Sequence, residues 1–288
     1  MPCPHCDDTT WKTITIDGVS RVTRCDCWLQ RRLDSLLKDA RIPRGYAHCE
    51  FSNYSARTDS QKDALRKAMR LVERYPEQQP GLLFYGDTGV GKTHLAIALL
   101  KEAIRLKGVQ AVFYEVRDLL KLVKDTYNTD VRATEMEVLR PVLEAELLIL
   151  DDLGAEKKSP WVEETLGLVV NTRYSERRLT VFTTNLVDAE NDEPNSFAFQ
   201  LGLRIRSRLF EMCDWVRIDA HDTRETGTDA TDEEIKSWHR ASPAAPKNRM
   251  RTPLPPKSLG QARAQLKPRD RDRDGKTDLK WSGGKAGN

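Results

Sequence analysis

The residues with the clearest chemistry are eight in a row: Gly86, Asp87, Thr88, Gly89, Val90, Gly91, Lys92 and Thr93 fit G-x-x-x-x-G-K-[ST]. Glycines at this spacing let backbone N–H groups curl around a phosphate chain, and the helix that follows adds the positive end of its dipole. Lys92 is expected to reach the β and γ phosphates of ATP, Thr93 to offer its hydroxyl to Mg²⁺, and His94 to complete the nucleotide-binding stretch. The context separates this from a chance glycine turn: the apolar run LLFY precedes it and an amphipathic stretch follows it. Further on, LLILDD delivers Asp151 and Asp152 to the end of a buried strand, the edge at which open α/β sheets bind ligands. Asp151 would hold magnesium, and Asp152 would orient or deprotonate the attacking water. A longer glutamate often fills that second role, so the shorter side chain predicts slow hydrolysis. The alternative for Asp152 is a cap on the next segment.

A second set of reactive residues lies at the N-terminus. Cys3 and Cys6 form a C-x₂-C knuckle, and Cys25 and Cys27 a tighter C-x-C pair. Between them, KTITIDGVSRVTR alternates β-branched residues around Asp17-Gly18, the dipeptide of a two-residue hairpin turn. A hairpin would bring the pairs together as four thiolates around Zn²⁺ in a small ribbon-like module. His5 could replace one sulfur, and reduced thiols or an iron–sulfur cluster are the competing readings. Cys49 and Cys213 stand alone, so the uneven spread favours a metal over disulfides.

The elements that must position these groups follow from periodicity. Strands are predicted at 82–85, 111–115, 147–150, 180–183 and 215–218, with helices at 93–106, 117–127, 161–176 and 197–210 between them. Gly108 would cap the first of these helices. Short apolar runs alternating with amphipathic stretches are the mark of an α/β fold, here a parallel five-stranded sheet flanked by helices. Upstream, 28–40 and 59–74 have helical spacing, with Pro43 closing the first. The expected domains are 1–28 for the zinc module, 29–58 for a linker helix and extension, 59–220 for the ATPase domain and 221–288 for a disordered polar tail containing Trp281. The 288 residues carry a net charge of only +3, so charge over the whole chain does not argue for nucleic acid. No signal peptide and no run of about 18 apolar residues is present, which predicts a cytoplasmic, soluble protein with no membrane partner.

With the loop and the aspartates placed, further segments become readable. RIPRGYAHCEFSNY, GDTGVGKTHLAIAL, VFYEVRDLLKLVKDTY, LLILDDLGAE, TVFTTNL and LGLRIRSRLFEM occur in order, and over residues 41–218 the chain resembles the DnaC/DnaI/IstB branch of the AAA+ ATPases. The resemblance implies an AAA+ fold without a lid domain, and no apolar helix follows Ile218 to build one. It implies that Asn185 is the sensor 1 residue contacting the γ-phosphate or the attacking water. Arg208 is implied as an arginine finger reaching a neighbour's nucleotide, with Arg204 as its rival, which requires self-association; a solvated basic face is the plain alternative for Arg204, Arg206 and Arg208. Phe51, Asn53 and Tyr54 fall where the adenine pocket begins, or form ordinary core.

The resemblance implies a DnaC-like loader that binds the replicative hexameric DNA helicase and single-stranded DNA during replication initiation. Arg117, Lys121 and Lys124 are the expected DNA contacts, an ordinary exposed face being the alternative. Some helicase loaders of the DnaI type are similar in carrying an N-terminal zinc module. Two alternatives stay open: an IstB-like transposition helper acting on target DNA, and a nucleotide-switched adaptor with little hydrolysis.

Overall fold

Unbroken apolar runs such as LLILD are buried on both sides, and that burial explains their lack of alternation. In the computed structural model they form a parallel sheet of β3 (Gly81–Tyr85), β4 (Ala111–Glu115), β5 (Leu147–Asp151), β6 (Leu179–Thr184) and β7 (Cys213–Arg217). The structure describes residues 3–16, 18–77, 79–128, 130, 132–188, 193 and 195–223. All of them fall in the first of two compact units, Met1–Ala244. The tail expected from residue 221 lies, beyond residue 223, outside the described residues.

The strand order is β4-β5-β6-β3-β7. The chain therefore leaves β3, crosses two strand positions and returns from the far edge, which sets the ends of β5 and β6 beside the loop that follows β3. Such a reversal of order is where open α/β sheets place ligands. Alternate residues serve opposite layers: Leu147 and Ile149 join one apolar cluster, Leu148 and Leu150 the other. The first layer holds α2 (Asp59–Arg74) and α3 (Lys92–Lys107), and the second holds α4 (Val116–Asp125), α5 (Glu135–Glu144), α6 (Pro160–Ser175) and α7 (Phe197–Met212).

All five predicted strands and the four predicted helices that link them are present, with ends shifted by a few residues. Helix α5 was not anticipated. Its signal is the capping box formed by Thr134 and Glu137, whose reciprocal hydrogen bonds start the helix. Helix α7 is broken at Gly202, where φ 81° and ψ 155° leave the helical region. Arg173 of α6 is fully buried, and its guanidinium donates to the carbonyls of Val142, Ala145 and Leu179 and to Thr180 Oγ1, tying the end of α5 to β6.

At the N-terminus β1 (Trp11–Ile16) and β2 (Val19–Arg24) pair antiparallel, with Ile16 opposite Val19 as a two-residue turn requires. Helix α1 (Asp26–Asp39) follows at once. Leu33, Leu36 and Leu37 pack against the first apolar layer of the sheet, so this helix is docked on the core. Among the described residues no helix is long and apolar enough to cross a membrane.

Candidate nucleotide-binding site

Strand β3 ends at Tyr85, and the loop turns through positive φ at Gly86 (146°), Gly89 (77°) and Gly91 (97°) before α3 begins. The turn is tight enough to exclude side chains: a Cβ on Gly86 would lie 2.1 Å from the carbonyl oxygen of Ile218, and one on Gly91 2.9 Å from the Tyr54 ring. Lys92 is buried, and its Nζ donates to the carbonyls of Gly86 (2.9 Å) and Asp87 (2.6 Å) and to Asn185 Oδ1 (2.7 Å). After β7, Thr223 donates from its N–H and its hydroxyl to the Gly89 carbonyl, at 3.1 and 2.8 Å.

The ends of β5 and β6 close a network with this loop. Thr93 Oγ1 donates to Asp151 Oδ1 (2.9 Å), and Thr183 Oγ1 donates to the same oxygen (2.5 Å). The Asp152 N–H donates to Thr183 Oγ1 (2.9 Å), and Asn185 Nδ2 donates to Asp152 Oδ1 (3.1 Å). Asp152 sits at φ 57°, in the left-handed region that aspartate and asparagine enter more readily than other side chains. In that conformation its N–H reaches the Thr183 hydroxyl and its carboxylate the Asn185 amide. Burial raises the Asp151 carboxyl above the usual carboxylate range; the hydroxyls of Thr183 and Thr93 oppose that, and the charge of Asp152 adds to it.

A cavity of about 660 Å³ opens beside the network, lined by the loop from Thr88 to His94 and by Asp151, Asp152 and Asn185. That volume lies within the range of roughly 300–1,000 Å³ typical of small-ligand sites. The glycine cradle and the paired hydroxyl and carboxylate fit a nucleoside triphosphate with a hard divalent cation, which takes oxygen ligands. Several lining residues were not foreseen, Thr183 and Glu115 among them. Thr183 bridges both aspartates, and Glu115 ends β4 opposite Asp151. Burial, then the charges of Asp118, Asp151 and Asp152, raise the Glu115 carboxyl. Neither follows from sequence spacing, since both act across strands; the one available signal is their place at the last residues of predicted strands.

Of the residues expected near the adenine, Asn53 and Tyr54 line the cavity, whereas Phe51 packs against the apolar core. Asn53 is also structural, donating to the His48 carbonyl and accepting from the Glu50 N–H. Arg208 is not brought to the nucleotide loop of its own chain. It lies over the Tyr174 ring (5.6 Å) near the end of α7, which leads into the first residue of β7, opposite the start of β3. Arg204 is exposed, and Arg206 is bound to Asp188. On α4, Lys121 and Lys124 are exposed, and Arg117 donates to the Ala155 carbonyl and pairs with Glu156.

The hairpin brings the four N-terminal thiols together. Cys3 Sγ is 3.7 Å from Cys25 Sγ, Cys6 Sγ is 3.3 Å from Cys27 Sγ, and His5 is not in the group. Burial alone would raise the Cys6 thiol, yet hydrogen bonds from Cys27 and Cys3 bring it down to about 7. Four thiols at these separations fit one tetrahedral thiophilic cation such as zinc.

A glycine cradle on a strand-to-helix turn, with a lysine, a threonine and a strand-end aspartate converging on it, defines a P-loop nucleoside triphosphate-binding protein. Within that class the chain belongs to the IstB-like ATP binding protein family, whose sequence pattern matches residues 24–228. The replicative helicase loader DnaC of Escherichia coli (strain K12) is 28% identical over 182 residues, covering 63% of this chain and 72% of that protein. Among solved structures, the crystal structure of the DnaC helicase loader aligns with a TM-score of 0.55 and 31% identity, covering 62% of this chain and 100% of that one. That of DnaI aligns with a TM-score of 0.52 and 25% identity, covering 62% and 95%. The resemblance to the DnaC/DnaI/IstB branch of AAA+ ATPases is borne out.

Proposed function

We propose that the protein is an ATP-hydrolysing, DnaC-like helicase loader, which binds a replicative hexameric DNA helicase and single-stranded DNA. The observation that carries the ATPase part is the continuous hydrogen-bonded path Lys92–Asn185–Asp152–Thr183–Asp151–Thr93, which joins the phosphate loop to both strand-end carboxylates. The loader part rests on the likeness to DnaC over most of that protein's length.

Lys92 exchanges its carbonyl partners for the β and γ phosphate oxygens and neutralises charge there as the terminal bond breaks. Thr93 and Asp151 would hold magnesium, which would supply charge neutralisation at the phosphates. Asn185 positions the γ-phosphate and fixes one oxygen of Asp152, whose other oxygen accepts a proton from the attacking water; ADP and phosphate leave. With an aspartate in this place, turnover is slow and rises with a partner or DNA. Arg208 completes the site of a neighbouring copy in a ring or spiral, Lys121 and Lys124 contact DNA phosphates, and the zinc-holding N-terminal module grips the helicase in the cytoplasm.

The test mixes the full chain with its own cell's replicative helicase, ATP and Mg²⁺. Complex mass and ATP turnover are read with and without single-stranded DNA. A stable complex with DNA-stimulated turnover is expected. ATP-dependent filaments on duplex DNA with no helicase complex would instead support the transposition-helper reading, which the family's IstB-like description favours. A complex with no single-turnover hydrolysis would make the protein a nucleotide-switched adaptor.

A further inference from the structure

A second group of potential metal ligands lies on the wall of the nucleotide cavity; of its three residues only His94 has a part above, as the last of the nucleotide-binding stretch. His48, Cys49 and His94 each place one ligand atom within 4.8 Å of the others. Cys49 Sγ and His48 Nε2 are 3.8 Å apart, comparable to the 3.7 and 3.3 Å between paired sulfurs of the N-terminal cluster. Ligand atoms about 2.0–2.3 Å from one tetrahedral ion stand at separations of this order.

The surroundings hold the group in place from outside, as metal sites require. His94 Nε2 lies 3.0 Å from the Glu50 carbonyl oxygen. A carbonyl only accepts, so Nε2 carries the proton and Nδ1 keeps its lone pair. Lys101 is buried and donates to the carbonyls of Ala47 (2.8 Å) and Cys49 (3.0 Å), while Arg105 forms a two-pronged pair with Glu50 at 2.7 and 3.0 Å. The Cys49 N–H donates to the Tyr46 carbonyl, and the His48 carbonyl accepts from Asn53. The His48–Cys49 turn is thus stapled to α3, the helix that carries His94.

We propose that His48, Cys49 and His94 form a second site for a thiophilic divalent cation, distinct from the N-terminal cysteine cluster. One thiolate and two imidazoles select zinc, or cobalt and nickel in its place, over magnesium. Three protein ligands leave a fourth position to water or to a group entering from the cavity, which all three residues line. The competing account is a buried core cysteine making a weak S–H···N contact with a histidine neighbour.

Zinc bound per chain is measured on the full-length protein after exposure to zinc and desalting. Two equivalents are expected, falling to one in Cys49→Ser and in His48→Ala. His48 is exposed, so the second variant keeps the readout if the first disturbs packing. Cobalt in a Cys3→Ser/Cys6→Ser chain should still give a thiolate-to-metal absorption band, lost on adding Cys49→Ser. One equivalent in the parent chain, or equal zinc in the parent and both single variants, overturns the proposal. Neither outcome depends on ATP hydrolysis or helicase binding.

Discussion

The molecule holds two chemically dense regions built in opposite ways. The N-terminal thiols come from 25 consecutive positions, Cys3 to Cys27, joined by one hairpin. The nucleotide site draws Lys92 and Thr93 from the loop after β3, Asp151 and Asp152 from the end of β5, and Thr183 and Asn185 from the end of β6, over about a hundred positions. The first has almost no core: β2 is largely exposed, with Val19 and Val22 at 56% and 68%. The second sits at the edge of a sheet buried on both faces. A local site with so little core depends on a cross-link of the kind a bound metal would supply; a distributed one is held by strand order and packing.

That contrast can be broken or sharpened by experiment. The largest effect is expected from Lys92→Ala, which should reduce phosphate release by about 10²–10³-fold or more while zinc content stays unchanged, since it removes the charge facing the transferring phosphate. Next, Asp152→Asn should slow single-turnover hydrolysis by about 10²-fold, in the range of a lost general base, and Glu115→Gln by much less. If the two effects are reversed, the water-activating carboxylate is the one on β4.

A smaller effect should follow from Thr183→Val, which leaves the partly buried Asp152 N–H without its acceptor and costs about 1–3 kcal/mol in thermal unfolding. Thr183→Ser should restore both stability and the magnesium dependence of turnover. Thr183→Val with unchanged stability and magnesium response would remove the bridge from the distributed site.

Asp151→Asn carries a sign that pH reveals. Burial raises the folded-state pKa of Asp151, so its ionised form opposes folding in full above that pKa, and the penalty shrinks below it and is gone only under the ordinary carboxylate pKa of the unfolded chain. Without nucleotide or divalent cation, the asparagine variant should melt higher than the parent at neutral and alkaline pH. The difference should narrow as pH falls below the raised pKa and close once pH is under the ordinary carboxylate value of the unfolded chain. The smallest effect on nucleotide binding is expected from Cys3→Ser/Cys6→Ser: the ATP dissociation constant should stay within about twofold while helicase binding is lost, because the proposed metal would hold the module's fold and not the sheet's.

The residues whose chemistry depends on near neighbours were legible in the chain itself. The glycine spacing before Lys92, the paired aspartates ending an apolar run, and the two cysteine pairs around Asp17-Gly18 each state a local geometry, because turns and strand ends are set by a few adjacent residues. The five strands followed from apolar runs for the same reason. What no local pattern contains is the strand order. Only the tertiary structure placed β6 between the phosphate loop and β5, so that Thr183 bridges two aspartates and Asn185 links Lys92 to one of them. It also set Arg208 over Tyr174, away from its own chain's loop, and brought His94 onto His48 and Cys49. Hydrogen-bond partners across strands belong to residues far apart in sequence, and packing, rather than spacing, selects them.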